Sequence, residues 1–378
     1  MSMIPVNKPL FISDEKKYLN ECIDSGWISS EGPFVVQFEK DFAKYVGRKY
    51  GVAVSSGTSA LEVAVGCLEL KKGDEVIIPS FTIMSCALAV VNYGAIPVFV
   101  DSEPDTWNID VNKIEAKITK KTKAIMIVHI YGHPCDMDKI LKIAKKYNLK
   151  IIEDAAEAHG AEYKSKKCGS FGDISCFSFY ANKIISTGEG GIILTNKKNY
   201  FEKAKSLRNL GFGKKQRFLH QDLARNYRMT NLQAGIGLAQ LKNIDKLIKI
   251  KRDNAKKYTE LLKNVKGLQL PVEKNYAKNV YWMYGIVLDK LTGFTAEKFA
   301  EKLAEKGIQT RPFFYSLHLQ TIWKSKRIKV KSAKCPISER IEKYGLYLPS
   351  GLGLLNDEII KIYDIIKELL SSKKNKYD

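Results

Sequence analysis

Lys183 has the sequence surroundings of an amine held for covalent chemistry. It lies in the stretch Phe-Ser-Phe-Tyr-Ala-Asn-Lys-Ile-Ile-Ser-Thr-Gly-Glu-Gly-Gly, residues 177–191, where an apolar segment leads into one lysine and then a glycine-rich turn. The chain has 62 lysines and arginines, and most lysines are solvated surface residues, so residue type alone carries little weight. No helical spacing of charged residues explains Lys183 as part of a surface helix. These features make Lys183 a candidate nucleophile.

Asp154 ends a second apolar segment. Residues 151–160 read Ile-Ile-Glu-Asp-Ala-Ala-Glu-Ala-His-Gly, which predicts a strand with Asp154 at its carboxyl end. A buried carboxylate needs a cationic partner. The two alanines that follow leave space for a flat ring, and the protonated nitrogen of a pyridine ring would be such a partner. The alternative is that Asp154 caps the helix that comes next.

A third segment has the features of a phosphate site. Residues 54–61, Val-Ser-Ser-Gly-Thr-Ser-Ala-Leu, predict a strand that stops at Ser55, a close backbone approach at Gly57 and a helix that begins near Thr58. Free amides and hydroxyls at a helix N-terminus bind phosphate. An ordinary helix N-cap has the same composition. Asn226 and Arg228, which open a later helix, would meet a phosphate, start that helix or form a subunit contact.

The elements that must position these residues follow from the alternation of strand and helix patterns between residues 50 and 200. Short β-branched segments separated by amphipathic stretches predict a mostly parallel sheet covered by helices. Ligands of such sheets bind beyond the carboxyl ends of the strands, where the three segments would meet. The predicted strands are residues 51–54, 75–78, 96–100, 124–129, 150–153, 174–179 and 191–195.

A smaller unit is predicted after this sheet. Since single hydrophobic cores stop growing near about 250 to 300 residues, a chain of 378 residues predicts two domains. A long helical region at residues 229–262 connects them. We therefore predict an α/β fold with a large domain of residues 1–245, including an N-terminal arm, and a small C-terminal α+β domain of residues 246–378. Its predicted elements are a strand at 281–288, a helix at 296–306, a strand or loop at 309–314 and a helix at 357–370.

The composition argues against several classes of protein. The net charge is +21, but lysines recur on nearly every predicted helix beside acidic residues, and only residues 371–378 are locally dense in lysine. This distribution favours attraction of a small anionic substrate over nucleic-acid binding. There is no leader pattern in residues 1–10 and no apolar segment of about 18 residues, so we expect a soluble, cytoplasmic protein without membrane contact.

The cysteines and histidines do not form a metal-binding pattern. The seven cysteines are odd in number and include no CxxC pair, which predicts reduced thiols rather than disulfides or a zinc ribbon. His129 and His133 are four residues apart at a strand end, but no glutamate separates them as in a zinc protease helix. No metal site is predicted.

The order of these segments is more specific than any one of them. Residues 56–61, 153–160, 178–191 and 226–231 together resemble the nucleotide-sugar aminotransferases of the DegT/DnrJ/StrS family, and the resemblance extends from Ile4 to Asn356. It implies the aspartate aminotransferase-like fold of pyridoxal phosphate enzymes, fold type I, and pyridoxal 5′-phosphate as the cofactor.

The resemblance implies a role for each candidate residue. Lys183 would hold the cofactor covalently and then carry a proton between the substrate and the cofactor. Asp154 would pair with the ring nitrogen, and Glu157 would lie near the phenolic oxygen. Because the family pattern brings one phosphate ligand from the neighbouring subunit, a homodimer with a shared active site is expected. The implied phosphate ligands are Gly57, Thr58, Ser178 and, from that subunit, Asn226.

The substrate expected from the resemblance is a nucleotide-linked keto sugar. Residues 27–30, 130–137, 177–183, 281–284 and 310–318 are most similar to enzymes that transfer the amino group of L-glutamate to C4 of GDP-4-keto-6-deoxymannose. Three residues are implied on the substrate side, namely Trp27, Arg311 and His318. An enzyme acting on dTDP-4-keto-6-deoxyglucose would need the same cofactor residues. A sugar dehydratase with histidine in place of Lys183, and a non-catalytic regulator or nucleic-acid-binding protein on this fold, are the other hypotheses.

Two positions depart from the family pattern. Relatives usually have an aromatic residue where Ile83 stands, and an aliphatic side chain packs on the ring without the ring–ring geometry that contributes roughly 0.5 to 1.5 kcal/mol. Cofactor affinity is the property most affected. Ala224 and Arg225 replace a common glycine and aromatic pair, which adds a cation next to Asn226.

Overall fold

Seven strands form the sheet that carries the predicted site. The computed structural model describes residues 3–213, 216, 218–325 and 328–371. The strands of the first part of the chain are β1 (Tyr50–Val54), β2 (Glu75–Pro79), β3 (Ile96–Val100), β4 (Thr122–Val128), β5 (Lys150–Asp154), β6 (Glu162–Tyr163), β7 (Lys166–Lys167), β8 (Ile174–Ser178) and β9 (Gly191–Thr195). The main sheet has the order β1-β9-β8-β5-β4-β2-β3. Of its seven strands only β9 runs against its neighbours, which confirms the mostly parallel sheet.

Helices cover this sheet, and their burial explains their sequences. The helices of this part are α1 (Glu15–Ser25), α2 (Pro33–Val46), α3 (Gly57–Cys67), α4 (Ser85–Asn92), α5 (Met137–Lys146), α6 (Lys198–Arg208), α7 (Asn231–Lys242) and α8 (Ile244–Leu262). In α5 the buried residues Met137, Ile140 and Ile143 recur at helical spacing and leave the lysines to solvent. By contrast, α3 is buried over most of its surface and contains no lysine.

A second, smaller sheet follows in the chain. The strands and helices of this part of the chain are β10 (Leu268–Gln269), β11 (Ala277–Lys278), β12 (Tyr284–Leu288), α9 (Ala296–Glu305), β13 (Arg311–Pro312), α10 (Pro336–Tyr344), β14 (Gly345–Leu348) and α11 (Asn356–Ser371). The sheet order is β10-β12-β14-β13, and all its pairs are antiparallel. β11 instead pairs with β6 of the first part, which ties the two parts together.

The second part differs from its predicted pattern at three places. The predicted helix of residues 229–262 is two helices, because Asn243 leaves the helical conformation at φ −112° and ψ 11°. The predicted strand of residues 281–288 starts at Tyr284, since Tyr281 has a φ of 47° that no strand accommodates. The segment 309–314 forms only the two residues of β13.

The predicted boundary after residue 245 falls inside α8. The first turns of this helix, including Leu247 and Ile248, pack in the core of the main sheet. Its later residues Ala255, Tyr258 and Leu262 pack in a second core, under the smaller sheet. The division into residues 1–245 and 246–378 stays a prediction, and residues 372–378 lie outside the described part of the chain. None of the helices in the described ranges is long and apolar enough to cross a membrane.

One face of α8 holds the loop that follows β14. Lys251 donates hydrogen bonds to the carbonyl and, at 3.2 Å, to the hydroxyl of Ser350. Tyr258 donates to the carbonyl of Pro349 at 2.8 Å. The Lys251 side chain is buried without a carboxylate partner among the described residues, and burial lowers its pKa to about 7.

Lys251 should make stability depend on pH above neutrality. Its native pKa of about 7 lies below the ordinary value of 10.5, so the unfolded chain binds more protons between these values and stability rises with pH there. We expect the unfolding free energy of the parent, relative to Lys251→Met, to increase from pH 7 to pH 10 in urea titrations. The matched control is Lys249→Met, whose lysine is exposed on the same helix. A pH-independent difference for Lys251→Met would contradict the expectation.

Candidate functional site

A cavity of about 360 Å³ opens where β5 and β8 end. It lies at the carboxyl ends of parallel strands, where ligands of such sheets bind. Seven of the predicted site residues line it, together with Ile83, which the sequence placed on the cofactor ring, and several residues that were not predicted. The predicted residues are Gly57, Thr58, Asp154, Glu157, Ser178, Lys183 and Arg311, and the others include Ile83, Ser85, Asn182, Trp282, Phe314 and Tyr347.

The start of α3 forms one end of the cavity. Ser56 caps the helix, since its hydroxyl accepts a hydrogen bond from the backbone N–H of Ser59 at 3.1 Å. Gly57 allows the helix to approach β8, because a Cβ at this position would lie 2.7 Å from the Cβ of Ser178. The helix cap is therefore observed, and the phosphate site at the same residues stays a prediction. The hydroxyls of Thr58 and Ser178 and the amides of the first turn are donors suited to a phosphate.

Asp154 is buried at the end of β5 without a cation in bonding distance among the described residues. One carboxylate oxygen accepts the backbone N–H of Ala156 at 3.0 Å, and the other accepts the thiol of Cys86 at 3.2 Å. No helix starts directly after Asp154, because the next helix, α6, begins at Lys198. The helix-capping alternative is therefore not observed. Burial raises the pKa of Asp154, which the two hydrogen bonds and Lys183 oppose. Among the described residues, Asp154 thus accepts two hydrogen bonds and forms no ion pair.

Lys183 projects into the same cavity. Its Nζ lies 3.6 Å from the ring centroid of Trp282, a cation–π contact. Burial lowers the pKa of the amine, while the charges of Glu157 and Asp154 raise it. An amine with a lowered pKa spends more time unprotonated and is the better nucleophile.

Glu157 is the second buried carboxyl group of the cavity. It accepts a hydrogen bond from the backbone N–H of Tyr131 at 2.7 Å, and Tyr131 itself has a φ of 51°. Burial raises the pKa of Glu157 to about 7, although the charge of Lys183 opposes the shift. Near neutral pH this group therefore accepts or releases a proton beside the Lys183 amine.

The backbone beside Lys183 is fixed from distant parts of the chain. The carbonyl of Asn182 accepts hydrogen bonds from Nε1 of Trp282 at 2.8 Å and from Nδ2 of Asn7 at 2.7 Å. These contacts involve residues that the sequence did not single out as site residues. The stretch Tyr-Trp-Met-Tyr, residues 281–284, contributed to the family resemblance, but no local signal placed Trp282 against a lysine 99 positions earlier.

Three predicted residues do not line the cavity. Asn226 is exposed outside it, as expected for a residue that would act in a neighbouring subunit. Trp27 is 50% exposed, and its carbonyl accepts a hydrogen bond from Asn231. His318 is enclosed, with Nδ1 bonded to Ser80 at 2.6 Å and Nε2 to Glu339 at 3.1 Å.

These positions bear on the predicted roles. Both ring nitrogens of His318 already have hydrogen-bond partners within the protein. The substrate roles of Trp27 and His318 and the phosphate role of Asn226 stay predictions. Ile83 is 44% exposed and lines the cavity, as its proposed place on the ring face requires.

A separate cluster brings metal-ligand types together. The donor atoms of His129, Glu153 and Cys168 lie within 4.8 Å of one another. His129 is already bonded through both nitrogens, to Glu153 at 3.0 Å and to the backbone N–H of Cys135 at 3.0 Å. Glu153 also accepts hydrogen bonds from the backbone N–H groups of Gly169, Phe171 and Gly172. The lone pairs of His129 and Glu153 that a metal would need are therefore engaged in hydrogen bonds within the protein.

Comparison with known proteins shows one consistent similarity. A family model described as the DegT/DnrJ/EryC1/StrS aminotransferase family matches residues 10–367. GDP-perosamine synthase of Escherichia coli O157:H7 is 44% identical over 374 residues, covering 99% of this chain and 100% of that protein. GDP-perosamine synthase of Vibrio cholerae is 41% identical over 365 residues, covering 97% and 98%.

The solved structures show the same similarity in the fold. The E. coli GDP-4-keto-6-deoxy-D-mannose-3-dehydratase with bound hydrated PLP has a TM-score of 0.90 at 27% identity, covering 97% of this chain and 100% of that chain. The α/β fold predicted from the sequence is therefore confirmed.

The raised pKa of Glu157 predicts a measurable effect on stability. Its native pKa of about 7 exceeds the ordinary 4.5, so the stability that it contributes is present below pH 4.5 and is lost as pH rises through 7. Glu157→Gln keeps an oxygen for Tyr131 and removes the titration. We expect cofactor-free Glu157→Gln to gain stability relative to the parent between pH 4.5 and pH 8 in urea unfolding. A constant difference across this range would show that Glu157 titrates normally.

Proposed function

Because the chain belongs to the DegT/DnrJ/EryC1/StrS aminotransferase family, we propose that it is a pyridoxal 5′-phosphate-dependent aminotransferase of a nucleotide-linked keto sugar. The proposed reaction transfers the amino group of L-glutamate to C4 of GDP-4-keto-6-deoxymannose and gives GDP-perosamine and 2-oxoglutarate. The observation that carries the substrate is the 44% identity to a GDP-perosamine synthase over 99% of this chain. The chemistry is supported by the cavity that holds Lys183 and Asp154 together.

The residues of the cavity fit the cofactor. Asp154 is a buried carboxylate that needs a cation, and a protonated ring nitrogen is one. The first turn of α3, with Thr58 and Ser178 beside it, offers N–H and O–H donors to a phosphate. Lys183 offers the amine for covalent attachment. When bound, the cofactor supplies an electron sink that stabilises negative charge on the carbon bearing the amino group.

The chain itself supplies the proton transfers. Lys183 Nζ has a pKa lowered by burial, so it accepts a proton from the donor carbon and returns one to C4 of the sugar. Glu157, with a pKa of about 7, holds or releases a proton close to this amine. The aromatic side chains of Trp282 and Phe314 line the same cavity.

Arg311 is the cation that we propose to bind the substrates. It lies on β13 opposite Tyr347 of β14, and both residues line the cavity. A guanidinium binds carboxylates and phosphates through paired hydrogen bonds. Glutamate and a nucleotide diphosphate sugar are both anionic, and the net charge of +21 favours their approach.

The shared site of a homodimer is part of the proposal. Asn226 is exposed and lies outside the cavity of its own chain, which is the position required of a residue that completes the phosphate site of a partner. A cytoplasmic location agrees with the seven cysteines, all of which are free and buried in the described structure.

Lys183 distinguishes this function from dehydration. The dehydratase hypothesis requires histidine at this position, and the similarity to a dehydratase is 27% identity against 44% for a GDP-perosamine synthase. The lysine amine therefore favours amino transfer.

The substrate assignment can be tested with purified protein and two sugars. We expect glutamate-dependent conversion of GDP-4-keto-6-deoxymannose to a product with the mass and NMR spectrum of GDP-perosamine. dTDP-4-keto-6-deoxyglucose should be converted far more slowly. Preferential amination of the dTDP sugar, or amination at C3, would overturn the substrate assignment, and no amination of either sugar would overturn the proposed reaction.

Removal of the Lys183 amine should abolish turnover without abolishing cofactor binding. Lys183→Ala leaves Asp154 and the start of α3 in place, so we expect bound pyridoxal phosphate and a loss of at least about 10³-fold in activity, the scale of a lost acid–base group. Lys164→Ala, at an exposed turn, is the control. Activity near the parental level in Lys183→Ala would rule out the mechanism.

A further inference from the structure

The first turn of α4 and the residues just before it contact the site at three places. Ile83 lines the cavity. The hydroxyl of Ser85 lies 2.8 Å from that of Thr58, on the first turn of α3. The thiol of Cys86 donates to Oδ2 of Asp154 at 3.2 Å. Residues 83–86 therefore reach the ring face, the phosphate end and the buried carboxylate from one short piece of backbone.

The thiol completes the hydrogen bonding of the Asp154 carboxylate. Oδ1 is held by the backbone N–H of Ala156, from the strand side. Oδ2 is held by Cys86, from α4. Within the described residues these are the hydrogen bonds that the carboxylate accepts, so Cys86 is the side chain that fixes its rotation.

Cys86 is suited to act as a lasting donor. Its side chain is fully buried, and burial together with the charge of Asp154 raises the pKa of the thiol well above its usual range. The thiol therefore stays protonated and donates its S–H to Oδ2 of Asp154. A thiol is a weaker donor than a hydroxyl, so Oδ2 keeps most of its negative charge for a cation.

We propose that Cys86 is a positioning residue for the cofactor, whose thiol orients Asp154 toward the protonated ring nitrogen. The proposal rests on the proposed function, since it needs pyridoxal phosphate as the ligand. It assigns Cys86 no contact with the reacting atoms. Its effect passes through Asp154 to the charge of the ring.

The variants separate the donor from the space it fills. Cys86→Ala and Cys86→Val both remove the S–H group, and valine also keeps a side chain of similar bulk. Two such variants are used so that the loss of the S–H can still be measured if one of them does not fold. Cys86→Ser restores a donor. The matched control is Cys135→Ala, which removes another fully buried thiol, one that donates to the carbonyl of Val128 at 3.1 Å and does not line the cavity.

Each full-length variant is freed of cofactor and titrated with pyridoxal 5′-phosphate. We expect Cys86→Ala and Cys86→Val to bind about 3- to 10-fold more weakly than the parent, the scale of one lost hydrogen bond. The pH midpoint of the bound cofactor's visible absorbance should move to higher pH. A ring nitrogen that is less firmly protonated withdraws less electron density from the imine nitrogen on Lys183, and the pKa of that imine rises. Cys86→Ser should stay within about twofold of the parent, since the hydrogen bond is kept.

The outcomes discriminate between this role and simple packing. Cys135→Ala should lower the thermal stability of the cofactor-free protein without moving the dissociation constant or the pH midpoint. Parental values for Cys86→Ala and Cys86→Val, or an equal loss in Cys86→Ser, would overturn the role of Cys86 while the proposed function stands. Failure of the parent itself to bind pyridoxal phosphate would overturn both.

Discussion

The buried charges at the end of β5 are the constraint on which the site depends. Asp154 and Glu157 share a cavity with the Lys183 amine, and in a medium of low dielectric these groups cannot all keep their ordinary charges. Burial raises the pKa of both carboxyl groups and lowers that of the amine. A cationic ring bound at Asp154 would relieve this imbalance, and a lowered pKa is the property that the proposed roles of Lys183 as nucleophile and proton carrier require.

Distant parts of the chain hold these groups in place. Gly57 brings the start of α3 against β8, and Cys86 holds Asp154 from α4. The carbonyl of Asn182, next to Lys183, receives hydrogen bonds from Asn7 in the N-terminal arm and from Trp282 just before β12. The backbone beside Lys183 is thus held by residues from the N-terminal arm and from the second part of the chain.

The sequence predicted the parts of this arrangement that local patterns determine. All seven strands of the main sheet were predicted because each is a short, buried and mostly apolar segment, and the placement of Asp154 at a strand end and of Gly57 beside a helix start followed. Contacts between remote residues had no such signal, so the Cys86 thiol and the Trp282 ring were missed as partners of the site. The enclosure of His318 by Ser80 and Glu339 also depends on tertiary packing.

The most direct test is a crystal structure of the protein grown with pyridoxal 5′-phosphate. The expected result is electron density continuous with Lys183 Nζ, the ring nitrogen within hydrogen-bonding distance of Asp154 Oδ2, and the phosphate on the first turn of α3. Asn226 of a second copy should reach that phosphate. Cofactor density elsewhere, or a ring nitrogen turned away from Asp154, would contradict the proposed site.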